Sequence, residues 1–227
     1  MRNCPIITIE GIDAAGKTTI ATRVVARLAR EPLAARLVGK KEIESYENPF
    51  VRRFMTGLKG ILWDAAANDP VELIPEESWA LMHGLWYRTM HEHLLESLRR
   101  QHDCLILDGW YYKFLARQVV HLGAATDLTR LILAGVREAD QVFLLDLPAE
   151  VAWTRRAAFR ASELGAHGGT TGSAQERFVT YQEEVRQQFL LQASRSGWEV
   201  VPAGDANIDA VVERVAQGIL SFLTSPA

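Results

Sequence analysis

Short apolar runs alternate along the chain with longer stretches whose apolar residues recur every three or four positions. Ile6 to Glu10 is largely β-branched and stops at Gly11, which predicts a buried strand. After Thr18 the period changes. Ile20, Val24, Val25 and Leu28 share a helical face, while Arg23, Arg27 and Arg30 fall off it. Pro32 ends that helix because its ring forbids continuation. Leu33 to Val38 reads as a second strand, and Cys104 to Leu107, leading into Asp108, as a third. Gln141 to Leu145 and Trp198 to Val201 complete the set. Between the strands the spacing predicts helices over Pro49 to Leu58, Glu76 to Arg100, 111–122, 127–137, Glu150 to Arg160, Gln175 to Ser194 and Ile208 to Leu223. Leu164 to Ser173 is a loop rich in glycine.

Strands alternating with helices imply an α/β fold in three layers, a parallel five-stranded sheet covered by helices on both faces. No linker divides the chain, so residues 1–227 are expected to form a single domain. Ligands in such folds sit beyond the carboxyl ends of the strands. Those ends carry residues 11–18, 39–41, 108–109 and 146, so candidate chemistry gathers on one edge. Asp146, followed by Pro148, reads better as a helix-capping residue than as a functional one.

The net charge of -3 argues against a duplex-binding protein, which needs a basic surface to neutralise phosphates. A small anionic substrate needs only a few well-placed cations. No apolar stretch approaches the roughly 20 residues of a membrane span, and the amino-terminal apolar run is too short for a signal peptide. Cys4 and Cys104 read as reduced core residues. A cytoplasmic protein without nucleic-acid or membrane partners is the expectation.

Gly11-Ile-Asp-Ala-Ala-Gly16-Lys17-Thr18 has the Gly-x-x-x-x-Gly-Lys-Thr spacing, with a strand before it and a helix after it. Glycines let successive backbone N–H groups turn inward around a phosphate, and the helix amino terminus adds unpaired donors. Lys17 brings a point charge to the outer phosphates. The Thr18 hydroxyl suits Mg²⁺, and Asp108, ending a strand nearby, is the natural second metal residue. Gly11, Asp13, Ala14, Ala15, Gly16, Lys17, Thr18 and Thr19 therefore form the expected nucleoside triphosphate-binding set of a P-loop NTPase fold. The loop alone does not select the reaction, since switches and ATPases also use it.

The stretch Glu10-Gly-Ile-Asp13-Ala-Ala-Gly-Lys-Thr-Thr19 resembles the opening of thymidylate kinases. Arg88-x-x-His91, the strand ending at Asp108, and Ala139 to Ala152 followed by Arg155 continue the likeness in order. The resemblance implies a nucleoside monophosphate kinase using ATP and Mg²⁺, with a homodimer paired through helices on the acceptor side. Leu81, Leu85, Leu115 and Val119 are the apolar candidates for that pairing. It implies that Asp13 accepts a hydrogen bond from the acceptor sugar and that Arg88 clamps the acceptor phosphate. Asp108 would organise the metal or the attacking group. Arg155, Arg156 and Arg160, with the glycine-rich 164–173 segment, would form a lid over the donor centred on about 160–174, with Lys17, Asp108, Arg155 and Arg160 as the catalytic set.

Departures from the family cluster on the acceptor side. Asp108-Gly109-Trp110 stands where the family has Asp-Arg-Tyr, and Gly84 stands where an aromatic stacks on thymine. Gly39-Lys-Lys-Glu-Ile43 replaces an arginine-bearing segment, and Arg117-Gln118 replaces a Tyr-Gln pair. Lys40, Lys41 and Lys113 are candidates for the missing cation, and Trp86 or Trp110 for a relocated stacking face. With room at Gly84, the acceptor would be thymidine monophosphate or, better, a modified or different pyrimidine nucleotide. A kinase of a nucleoside or another phosphorylated metabolite is the alternative, as is a nucleotide-dependent switch. His83, His91 and His93 share one helix, but no carboxylate and cysteine set completes the ligand spacing of a zinc site.

Overall fold

The structure, a computed structural model, describes residues 4–64, 70, 73–122, 127–165 and 172–225. Its centre is a five-stranded sheet in the order β2-β3-β1-β4-β5. The strands are β1 (Ile6–Glu10), β2 (Ala35–Gly39), β3 (Cys104–Asp108), β4 (Gln141–Asp146) and β5 (Glu199–Pro202). Every pairing is parallel. β1 is central and buried along its whole length, which explains its β-branched run without polar alternation.

The helices are α1 (Lys17–Leu28), α2 (Pro49–Trp63), α3 (Glu76–Met90), α4 (Glu96–Arg99), α5 (Tyr112–Leu122), α6 (Asp127–Leu133), α7 (Ala149–Thr154), α8 (Ala174–Ser196) and α9 (Ile208–Thr224). The crossover from β1 to β2 runs one way along the sheet, and the later crossovers run the other way. Right-handed connections therefore put α1 on one face and the helices between β2 and β5 on the opposite face. The packing agrees: α9 lies against α1, while α8 packs on α5, α7 and β4. No helix among the described residues is long and apolar enough to cross a membrane.

Some boundaries differ from the periodicity. α2 continues five residues past Leu58, started by Asn48, whose side chain accepts from the Phe50 and Val51 amides. The long helix expected over Glu76 to Arg100 is interrupted by a π-helical turn, His91–Leu95, that buries both Leu94 and Leu95. α6 stops at Leu133 because Gly135 turns left-handed at φ 83°. α7 ends at Thr154 so that Phe159 can fold back, stacking on Trp153 at 4.7 Å and meeting Phe178 at 4.3 Å. A continued helix would hold residues 153 and 159 on different faces. Of the glycine-rich 164–173 segment, residues 166–171 lie outside the described residues.

Strand register does the most for the site. Ile9 and Gly39 both lie level with Asp108. The ends of β1, β3 and β2 thus deliver the Gly11 loop, Asp108 and Lys40 to one place.

Candidate functional site

The loop after β1 turns through backbone that few side chains tolerate. Gly16 has φ 92°. A Cβ at Gly11 would come within 2.9 Å of the Leu145 carbonyl oxygen, so the loop lies directly on β4. Lys17 folds back over it, donating to the carbonyls of Gly11 at 2.8 Å and Ile12 at 2.7 Å. Burial and the Lys113 charge push its ammonium down to about 8, against the pull of Asp13, Glu10 and Asp108. The Thr18 hydroxyl donates to Asp108 Oδ2 at 2.6 Å. A hydroxyl and a carboxylate in contact at the mouth of a phosphate-type loop suit Mg²⁺, a hard cation that keeps waters and takes few protein ligands. Thr19 is exposed beside them. Among the described residues no cluster of three His, Cys, Asp or Glu forms an alternative metal site.

Asp13 is the hub of the opposite wall. Its Oδ1 accepts from Lys113 Nζ at 2.6 Å. Its Oδ2 accepts from Arg117 at 2.6 Å and from the Gln182 amide at 3.0 Å. Burial alone would raise its pKa, but Lys113, Arg117 and Lys17 together outweigh it and hold the carboxyl well below the usual range. Among the described residues Lys40 has no carboxylate partner. Its ammonium sits 5.4 Å from the Trp63 ring and 5.7 Å from the Tyr87 ring, a cation–π setting. Burial, then the charges of Lys113 and Arg117, press its pKa down to about 7. Lys41 lies over the same Trp63 ring at 5.4 Å. His83 stacks on Phe114 at 4.9 Å beside them, its pKa pushed to about 4 by burial, and so stays neutral.

Three residues here escaped the motif reading. Glu10 is fully buried beneath the loop, with Oε1 accepting from the Trp110 amide at 2.6 Å and Oε2 without a partner. Desolvation lifts its pKa to about 7, against the Trp110 hydrogen bond and the nearby lysines. An acidic residue closing an apolar strand was the available signal. Trp63 lies at the end of α2, five residues beyond the predicted helix. Gln182 is buried on α8 and holds Asp13 by both its side chain and its backbone N–H. Its signal was a lone polar residue on the stripe Phe178, Tyr181, Val185, Phe189.

The arginines after β4 divide. Arg155 donates to the Ala15 carbonyl at 3.2 Å and to Ala203 and Gly204, so it braces the loop from the β5 side. Arg156 pairs with Glu163 and stacks on Phe159. Arg160 reaches the Trp63 carbonyl at 3.4 Å. Asp146 does not cap α7, which follows Pro148 without a side-chain cap; Arg186 grips both its oxygens, at 2.6 and 3.1 Å.

Several acceptor-side expectations are corrected. Arg88 does not join the cluster: its side chain is 56% exposed, bonded to Glu92 at 3.0 Å, and lies against Gly135. α3 turns His83 and Tyr87 inward, so Arg88, one residue on, points about 100° away. Gly84 opens no space for a larger acceptor, since a Cβ there would meet Ile132 of α6 at 1.8 Å. Trp110 is 1% exposed with its indole N–H donated to the Arg137 carbonyl, and Trp86 is fully buried with its own donated to Lys40. Both are core residues and neither offers an open stacking face.

No protein-family model matches this chain. It is 31% identical over 150 residues to a protein of Saccharolobus solfataricus named probable thymidylate kinase 1, covering 66% of this chain and 69% of that one. A probable thymidylate kinase of Sulfolobus acidocaldarius is 27% identical over 218 residues, 96% of this chain and 97% of that relative. With the phosphate loop, the parallel sheet and the Asp13 hub in the same chain, these likenesses show that it belongs to the thymidylate kinase family.

Proposed function

We propose that this protein transfers the terminal phosphoryl group of ATP to the phosphate of a pyrimidine nucleoside monophosphate. The observation that carries this reading is the meeting of Lys17, Lys40, Lys113 and Arg117 around Asp13 beside the Thr18–Asp108 pair. Phosphoryl transfer asks a protein for little covalent chemistry. It asks for two anions held in line and for cations where charge develops. Lys17 leaves its two loop carbonyls for the outer donor phosphates, and Arg155 steadies the loop. Thr18 and Asp108 would hold Mg²⁺, which when bound neutralises charge on the moving group. Lys40, Lys113 and Arg117 receive the acceptor phosphate in place of the arginine absent at Gly109, and Asp13 takes the acceptor sugar hydroxyl.

Both relatives are named probable thymidylate kinases, so thymidine monophosphate is the first acceptor to test. The covered Gly84 removes one argument against it, while Arg117 still favours an acceptor with added oxygen or negative charge. The test is ADP release across thymidine, uridine, deoxyuridine, cytidine and purine monophosphates. Turnover that is slow and indifferent to every acceptor would sink the kinase reading in favour of a switch. A homodimer belongs to the same reading, because Leu81 and Leu85 are exposed on α3. A single-chain mass by light scattering at micromolar concentration would remove it.

The site also predicts a pH effect. Lys40 is neutral above about 7 in the free protein, yet an acceptor dianion needs it charged. Acceptor kcat/KM is therefore expected to fall as pH rises from 7 to 9, approaching tenfold per unit. Lys40→Arg, which stays charged, should flatten the profile. A profile unchanged in Lys40→Arg would assign the titration to another group, Lys17 and Glu10 both lying in the same range.

A further inference from the structure

Gln182 makes three hydrogen bonds inside the protein. Its amide nitrogen donates to Asp13 Oδ2 at 3.0 Å and to the Glu163 carbonyl at 2.9 Å. Its amide oxygen accepts from the Asp13 backbone N–H at 3.1 Å. The reverse amide orientation would set an NH₂ against an N–H and an oxygen against a carboxylate, so the network fixes the assignment. The residue is fully buried on an otherwise apolar helix face, where a methionine or leucine would pack without any desolvation cost. Either exchange would, however, strip the Asp13 N–H and the Glu163 carbonyl of their partner, so what the glutamine serves is Asp13 and the 163 segment, not the packing of α8.

The consequence lies in how Asp13 spends its lone pairs. Oδ2 receives both Arg117 and Gln182, while among the described residues Oδ1 receives Lys113 alone. A carboxylate oxygen accepts two bonds, so the remaining capacity is on Oδ1. Gln182 prevents the carboxylate from turning, because it holds the backbone N–H and one oxygen of the same residue. Through Glu163 it also ties Asp13 to the segment carrying Arg155, Arg156 and Arg160. The Glu163 carboxylate accepts from Arg156 and from the Arg160 backbone N–H.

We propose that Gln182 is a positioning residue: it locks Asp13 so that Oδ1 faces the acceptor sugar hydroxyl, and it links that orientation to the 155–163 segment. This rests on the kinase reading above. The test compares thymidine monophosphate with its 3′-deoxy analogue in ADP-release kinetics, for the wild-type chain and for Gln182→Met. The wild type is expected to prefer the hydroxyl-bearing acceptor by at least about tenfold in kcat/KM. Gln182→Met is expected to reduce that preference below about threefold while the KM for ATP stays within about twofold. A merely structural glutamine would lower stability and leave the ratio untouched. Gln182→Glu, which keeps the shape but sets a second carboxylate against Asp13, serves if the methionine variant does not fold, and should lose the preference too. Survival of the preference in the folded variant, or no preference in the wild type, overturns the assignment alone. No acceptor-dependent turnover with any nucleoside monophosphate overturns the kinase reading and this assignment with it.

Discussion

Lys17→Ala is expected to lower kcat by at least about a thousandfold, roughly 4 kcal/mol of lost stabilisation, with little change in thermal stability. Among the described residues the ammonium's hydrogen bonds go to the carbonyls of Gly11 and Ile12, in a loop whose path is set by its glycines and by contact with β4. Those carbonyls are half of a resting arrangement. A phosphate drawing Lys17 away gains a full positive charge where negative charge develops. The side chain also lies close enough to Lys113 to be pressed by its like charge, so removing it relieves repulsion and offsets the lost hydrogen bonds. A folded Lys17→Ala protein with near-normal turnover would remove the donor assignment.

Arg117→Met should reduce acceptor kcat/KM by about a hundredfold, near 2.7 kcal/mol, while the KM for ATP stays within about threefold. Arg117 does two things at once: it bonds Asp13 at 2.6 Å and presents charge toward Lys40 and the acceptor side. Its loss leaves a buried carboxylate with Lys113 and Gln182 only, and breaking such a pair costs on the order of 3 kcal/mol of stability. The pH dependence checks the cause. Asp13 has a depressed pKa, so its contribution to stability is present above the ordinary carboxylate range and is lost as pH falls through the folded value. Arg117→Met should shrink that acid-side loss. Arg88→Ala is the control, expected to change acceptor kinetics by less than about twofold because Arg88 faces Glu92 and Gly135. Equal damage from both variants would place the acceptor phosphate elsewhere.

The turn from Gly11 to Thr18 was legible in the sequence because its geometry is local. Strand, glycine turn, lysine and threonine lie within Ile6 to Thr18, and their geometry follows from backbone sterics and helix-end donors. Alternation of buried runs with helical periods likewise determined a parallel α/β sheet of five strands, as found. Asp108 met Thr18 because a strand's carboxyl end is where neighbouring strands bring their loops.

The wall around Asp13 depends on rotations and distances that no local pattern encodes. α3 is apolar nearly all round, with Ala80, Leu81, Met82, Leu85, Trp86, Tyr87 and Met90, so its periodicity does not choose a face. Packing against α6 chose it, turning Gly84 onto Ile132 and Arg88 outward. The end of α7 was decided by Phe159 returning to Trp153, a gain available only after α8 supplies Phe178. Lys113 and Arg117 reach Asp13 across a hundred residues, and Gln182 across still more. The sequence by itself determined the glycine turn with its lysine and threonine and the parallel sheet that bears it. Only the tertiary structure decided which cations stand opposite, because their positions follow from the burial of side chains far apart along the chain.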